Sequence, residues 1–236
     1  MSLLLTQRQL RSEIMDQPGL APHLHAQALR GLQRVNWWSG SSGLYWPWIR
    51  RAAKTVAPRP LRVLDLATGG GDVPIRLWCN AQAAGLNLEI EGCDRSETAI
   101  AHARRSAISR SASVQFFIRD VLEERLPQGY DLLLCSLFLH HLEEHQAVDL
   151  LKRMAESAGL MILVNDLVRG PLGFALAYVG TRVLSSSPVV HADGPQSVAG
   201  AFTVAEMRRM AQQAGLGGAI VKRRWPFRML LRWNKT

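Results

Sequence analysis

The sequence predicts an α/β domain built on a mostly parallel sheet, and two observations carry the prediction. From residue 61 onward, short apolar runs alternate with amphipathic helical segments. One of those runs, VLDLATGGGDVP at residues 63 to 74, leads through an acid and three consecutive glycines into a helical pattern. Glycines there let a ligand approach the backbone and meet the amides of a helix N-terminus. A chain of 236 residues, 47% hydrophobic and 20% charged, has the length and balance of one globular domain with a small appended cap.

In chain order, residues 5–56 read as helical. Leu24, Ala28, Leu32 and Val35 recur at helix spacing, and Pro18, Gly19 and Pro22 punctuate the approach. The turn-rich stretch from Asn36 to Gly43 breaks this region, and a second helix follows with Tyr45, Trp46 and Trp48. Pro58 and Pro60 end it, giving a helical cap over 1–58 and a main domain over 59–236. Strands are expected at Leu61–Leu66, Leu88–Gly92, Val114–Ile118, Tyr130–Ser136 and Leu160–Val164. The helices between them are Val73–Gln82, Glu97–Ser109 and Glu144–Ala158. After a helix at Val204–Ala214, Ala219–Arg224 and Phe227–Trp233 read as a hairpin that supplies an antiparallel edge strand. Residues 170–202, rich in Gly, Pro and Ser with one apolar helix-like piece, read as an insertion forming a lid or substrate wall.

Charge is uneven within the total of +9. Residues 1–60 carry eight Lys/Arg against two Asp/Glu, residues 61–166 ten against fifteen, and residues 167–236 ten against two. An acidic body with basic flanks points to anionic contacts at the flanks rather than to a uniformly nucleic-acid-binding surface. Cys79, Cys93 and Cys135 form no CxxC pair, which excludes a zinc ribbon and favours a reducing compartment. The opening MSLLLTQRQLRSE is too short an apolar run for a signal peptide. PLGFALAYVG falls short of the roughly 20 residues of a spanning helix. The expected location is the cytoplasm.

The glycine loop has distinguishing details. A phosphate-binding P-loop needs Lys-Ser/Thr after the glycines, whereas Gly71 is followed by Asp72 and Val73. Asp65 stands at the strand end, where a carboxylate suits a cationic or hydroxylated ligand better than a pyrophosphate. The next strand ends in Asp94, 23 residues after Gly71, the position from which an acid holds ribose hydroxyls. Asp120, in Arg119-Asp120-Val121 after the third strand, is placed to receive an adenine amino group.

With VLDLATGGGD, IEGCD, IRD and YDLLLCSLFLHHL in this order, the chain from Leu61 to Trp233 resembles the class I S-adenosylmethionine-dependent methyltransferases. Ala67 departs from the family pattern by occupying its first glycine position. The resemblance implies a Rossmann-like seven-stranded sheet with S-adenosylmethionine as cofactor. It implies that Asp65 lies near the methionine moiety and that Gly69 and Gly71 permit close approach. Asp94 would hold the ribose and Asp120 meet adenine, with Ala67, Arg95, Val121 and Ser136 completing the cofactor set.

The fourth strand runs into Ser136-Leu137-Phe138-Leu139-His140-His141, and the fifth ends Val164-Asn165-Asp166. Neighbouring strand ends would let Asp166 orient one histidine as a general base, and the resemblance favours His141 before His140. Packing of both histidines on the cofactor is the alternative. MDQPGL, LRGLQRVN, SLFLHHL, AFTVAEMRRMAQQAGL and RWPFRMLL resemble bacterial O-methyltransferases acting on phenolic polyketides. An apolar aromatic acceptor would then meet Asn36, Trp37, Phe174 and Arg228, with Trp38 and Trp46 as further walls or as ordinary core. C-methylation of a quinone precursor is the alternative. RNA methylation ranks below both, because the fourth strand lacks an Asn/Asp-Pro-Pro-aromatic run. No metal is expected, since Asp131 begins its strand at the end away from the acceptor. The segment VKRRWPFRMLLRWNK, with bases interleaved among aromatic and apolar residues, suits either an edge hairpin or contact with an anionic membrane.

Overall fold

The computed structural model describes residues 5–16, 19–38 and 40–235. The elements follow in the order α1 (Pro22–Trp38), α2 (Ser41–Val56), β1 (Leu61–Leu66), α3 (Asp72–Ala83), β2 (Leu88–Asp94), α4 (Glu97–Ser109) and β3 (Gln115–Ile118). Then come β4 (Tyr130–Ser136), a 3-10 turn (Leu139–His141), α5 (Glu144–Ser157), β5 (Ala158–Leu167), α6 (Pro171–Leu184), α7 (Pro188–Gly200), α8 (Val204–Gln213), β6 (Ile220–Arg224) and β7 (Arg228–Asn234).

The seven strands form one sheet in the order β3-β2-β1-β4-β5-β7-β6. β1, β2, β3, β4 and β5 pair in parallel, and β7 pairs antiparallel with both β5 and β6. The C-terminal hairpin thus supplies the antiparallel element, with β7 one place inside the sheet edge. Strand order reverses between β1 and β4, which opens a crevice at the carboxyl ends of those strands.

Central strands bury both faces. Along β4, Leu132 and Leu134 join a core with Ile49 of α2, Ile75 of α3 and Ile100 of α4. Leu133 and Cys135 point the other way, onto Leu151 of α5 and Met210 of α8. This two-sided burial explains why the parallel strands read as continuous apolar runs rather than as alternation. Tyr45, Ile49, Ala52 and Ala53 place α2 in the same core as β1, so the boundary at residue 58 does not separate two cores.

Two expectations change. The break over 36–43 shrinks, because α1 continues through Trp38 and α2 starts at Ser41. The insertion at 170–202 is almost wholly helical, with Pro171 and Pro188 in the first turns of α6 and α7. Proline is tolerated there because the first-turn N–H has no helical acceptor. α7 also packs Val189 and Val190 against Ala28 of α1 in a small third core.

The segment before α1 crosses the carboxyl edge of the sheet as a strap. Arg8 donates from Nε to Gly200 O at 2.6 Å and from Nη2 to His140 O at 2.9 Å. Its guanidinium lies 3.8 Å from the centre of the Phe202 ring. The amides of Ile14 and Met15 donate to the Asp193 carboxylate of α7 at 2.9 and 3.0 Å. The three cysteines are free thiols.

Candidate functional site

Strap, α1, α6 and the sheet edge enclose a cavity of about 1200 Å³. A single small ligand usually occupies roughly 300–1,000 Å³, so the space exceeds what one small molecule needs. One side is polar and belongs to the loops after β1, β2, β3 and β4. Asp65, Ala67, Gly69, Asp94, Arg95, Asp120, Val121 and Ser136 all line it. The helices and the segment before α1 add apolar lining, with Leu20, Leu29, Leu32, Leu176 and Leu184.

The polar side is built by its own hydrogen bonds. Asp94 accepts from Gly69 N at 2.8 Å and from Ser96 N at 2.9 Å, tying the glycine loop to the start of α4. Asp120 accepts from Leu122 N at 2.9 Å. Asp65 is fully buried and accepts from Thr68 Oγ1 at 2.6 Å, while its Oδ1 is buried with no hydrogen-bond partner. Burial lifts the Asp65 carboxyl to about 7, against the lowering effect of Thr68. A buried carboxylate oxygen without a donor fits a ligand that brings a cationic or N–H group to this point. The amino acid end of S-adenosylmethionine is such a group, so the residues present fit the cofactor.

Gly69 and Gly71 differ. Gly69 has φ +54° and open space where a side chain would stand. Gly71 does not line the cavity. A Cβ there would meet Phe116 at 2.7 Å and Ala103 at 2.9 Å, so Gly71 serves the packing of α3 against α4 and β3, correcting its expected place at the cofactor. Ala67 adopts φ +52°, a left-handed conformation that costs an L-residue about 1–2 kcal/mol. Ala67→Gly is therefore expected to raise stability by about 0.5–1 kcal/mol, the relieved strain being offset partly by glycine's unfolded-state entropy. Thermal denaturation checks this, and a lower Tm would contradict it.

The histidines divide unequally. Asp166 ends up behind the 3-10 turn, off the cavity wall, and holds His140. The His140 Nδ1 lies 2.7 Å from Asp166 Oδ1, and His140 N donates to Asp166 Oδ2 at 3.1 Å. His141 is thus not the partner of Asp166, contrary to its first ranking for that pair. Successive residues of a 3-10 turn project about 120° apart, so only one of the two reaches back to β5. His141 is partly exposed and lines the cavity beside His140, with ring centres 4.2 Å apart.

Sequence reasoning missed Glu13. This strap residue brings Oε1 to 3.6 Å from His140 Nε2 and 3.9 Å from His141 Nε2, and it accepts from Ser197 Oγ of α7. It was findable as one of only two acids in the basic first 60 residues. Burial opposes the charged form of His140, but the charge and hydrogen bond of Asp166, with Glu13 on the far side of the ring, outweigh it. The imidazole is raised to about 10. Burial also pushes Glu13 and Asp166 up, yet the histidines hold both below the ordinary carboxylate range. Around neutral pH the cluster is an imidazolium between two carboxylates. Glu13, His140 and His141 also offer ligand atoms within 4.8 Å of one another, the one such group of three among the described residues.

Tyr45 was also missed as a polar support. Its buried hydroxyl donates to Cys135 O at 2.8 Å, lies 2.7 Å from Ser136 Oγ and accepts from Asn165 N at 3.1 Å, joining the ends of β4 and β5. Among the expected acceptor contacts, Asn36 and the buried Arg228 line the cavity, and Arg228 Nη2 donates to Asn36 Oδ1 at 3.3 Å. Phe174 does not. α6 turns Gly173, Leu176, Ala177, Gly180 and Leu184 inward, and Phe174 falls off that stripe. The Trp37 side chain lies outside the described residues, and Trp38 lines the cavity. Asp131 sits at the opposite end of β4, where it receives both Arg59 nitrogens at 2.7 and 2.8 Å.

Residues 63–158 match the methyltransferase domain family. A demethylmenaquinone methyltransferase from Thermus thermophilus is 32% identical over 121 residues, covering 50% of this chain and 53% of that protein. A ubiquinone biosynthesis O-methyltransferase from Xanthomonas campestris is 27% identical over 135 residues, 56% of this chain and 54% of its own. The chain thus spans about half the length of the curated relatives it matches. Among solved structures, human N-acetylserotonin methyltransferase with S-adenosylmethionine superposes with a TM-score of 0.62 at 18% identity, over 91% of this chain and 56% of that one. Magnesium protoporphyrin IX methyltransferase from Synechocystis, with S-adenosylhomocysteine bound, gives 0.56 at 18% identity over 94% and 91%.

Proposed function

From the match of residues 63–158 to the methyltransferase domain family, we propose that the chain is an S-adenosylmethionine-dependent methyltransferase that methylates a hydroxyl of a small apolar phenol. The observation that carries this reading is the juxtaposition, in one cavity, of an apolar wall with the Glu13–His140–His141 cluster that Asp166 holds from behind. When bound, S-adenosylmethionine supplies the methyl group from its sulfonium centre.

The residues divide the remaining work. Asp65, Gly69, Asp94 and Asp120 hold the cofactor's polar ends. Leu29, Leu32, Leu176 and Leu184 receive the acceptor's apolar body and exclude water. A phenol of pKa about 10 is largely protonated at neutral pH, so its proton must leave as the oxygen reacts. His140, held between Asp166 and Glu13, fixes the Glu13 carboxylate beside His141 at the cavity. His141, at the cavity wall, takes the proton on its ring nitrogen. Positioning of the acceptor against the apolar lining supplies most of the remaining rate.

Likeness to a demethylmenaquinone methyltransferase supports one alternative, transfer to a ring carbon of a quinone precursor. The proposed reaction uses no metal: the His140 ring, paired with Asp166 through Nδ1 and facing Glu13 through Nε2, places its own positive charge beside Glu13. Turnover of alkylresorcinols, alkylpyrones and demethyl-quinols, followed by product mass, tests the acceptor class. Adding a strong chelator is expected to leave the rate unchanged. A rate abolished by chelation and restored by one divalent ion would overturn the proton-based cluster.

A further inference from the structure

α6 has two apolar faces, and only one of them lines the cavity. The other is open to solvent: Leu172 is 70% exposed, Tyr178 48%, Val179 57% and Val183 76%. Leu172, Val179 and Val183 recur at helical spacing along about 17 Å of helix, with Tyr178 beside them. At the N-terminal end of α6 the inward-facing Gly173 meets Phe227, and Trp225, beside Phe227, is 75% exposed. Trp225 and Phe227 lie with ring centres 6.1 Å apart in the turn between β6 and β7. An exposed apolar stripe of this length on a lid helix calls for an occupant.

The surrounding charge identifies it. Arg182 lies on the outer face of α6, 3.6 Å from the centre of the Tyr178 ring. At the C-terminal end of α6, Arg34 donates to Leu184 O at 2.7 Å. Arg223 and Arg224 precede Trp225 directly. The two acids of residues 167–236 do not offset these bases, since Asp193 accepts the Ile14 and Met15 amides and Glu206 pairs with Arg169 at 2.7 Å. Apolar side chains rimmed by arginine, with a tryptophan at one end, form the pattern of a helix lying in a lipid interface. No helix among the described residues is long and apolar enough to cross a membrane.

We propose that the outer face of α6, with Trp225, rests on an anionic phospholipid surface. The sequence left the C-terminal hairpin as either an edge element or a membrane contact; here the apolar part of the contact lies on α6, with Trp225 as the hairpin's contribution. The purpose rests on the apolar-acceptor reading: with α6 between lipid and cavity, a membrane-dissolved phenol would have a short path past the lid.

Co-sedimentation of the purified chain with large vesicles tests this, using equimolar phosphatidylglycerol and phosphatidylcholine against phosphatidylcholine alone at low salt. The chain should pellet with the anionic vesicles and stay in solution with the neutral ones. The double variant Val179→Glu/Val183→Glu should lower partitioning about tenfold or more, since both side chains lose apolar burial. Arg223→Glu/Arg224→Glu should lower it about tenfold through charge. Wild-type protein that stays in solution with anionic vesicles, or pellets no better than the Val179→Glu/Val183→Glu variant, overturns the proposal. So does a dimer in sedimentation velocity that this variant dissolves, which would give the face to a second copy. Turnover of a short, water-soluble phenol without vesicles should be equal in all three proteins. Its absence would strike the acceptor reading alone, because vesicle binding is measured without catalysis.

Discussion

Asp166→Asn is expected to lower kcat by about two to three orders of magnitude and to destabilise the fold by about 3–5 kcal/mol. The carboxylate has no contact with the cavity, so the loss acts through His140. Asp166 takes both the backbone N and the ring Nδ1 of that residue and also accepts from Leu167 N at 2.7 Å. Removing its charge leaves a buried imidazolium with one partner, Glu13. The pH dependence of stability separates this from simple misfolding. His140 has a folded value near 10 against an ordinary 6.5. Its contribution is therefore complete below 6.5 and is lost as pH rises through about 10. Asp166 is held below 3.8, so its share is present above 3.8 and is lost as pH falls further. Chemical denaturation of wild type and variant should show a gap that is constant from about pH 5 to 6.5 and closes toward pH 10. A gap that does not change with pH would contradict the ion pair.

His141→Ala is expected to lower kcat at neutral pH by about 10² to 10³, with cofactor affinity and stability near wild type. The ring lies at the cavity wall and is partly exposed, so its removal leaves no large void. Activity should return as pH approaches the acceptor's own pKa near 10, because the phenolate then forms without a base. A loss that persists at high pH would assign His141 to binding. Unchanged kcat at neutral pH would give proton removal to another group.

The fold was legible where one local signal sufficed. β1, β4 and α4 begin and end where the apolar runs and their flanking turns place them. The 170–202 segment was not, because its prolines and glycines read as breakers. Pro171 and Pro188 instead start helices, and Gly194 lies inside α7, packed against Thr181. The site was legible where it follows strand ends in order. Asp65, Asp94 and Asp120 line one wall because parallel strands present their carboxyl ends together. What sequence could not give was pairing across elements. Choosing between His140 and His141 required the phase of a 3-10 turn. Glu13 comes from a strap far from β4 in sequence, anchored by Asp193 and Gly200. Gly71 needed Phe116 in place before its role in packing could be seen.

The measurement that tests the central claim most directly is NMR of the product made from S-adenosylmethionine and an alkylresorcinol by the purified chain. The expected result is a new methyl signal coupled through oxygen to a ring carbon, formed with one equivalent of S-adenosylhomocysteine. A methyl group attached directly to a ring carbon would contradict hydroxyl transfer, and cofactor binding with no product from any phenol would contradict the acceptor class itself.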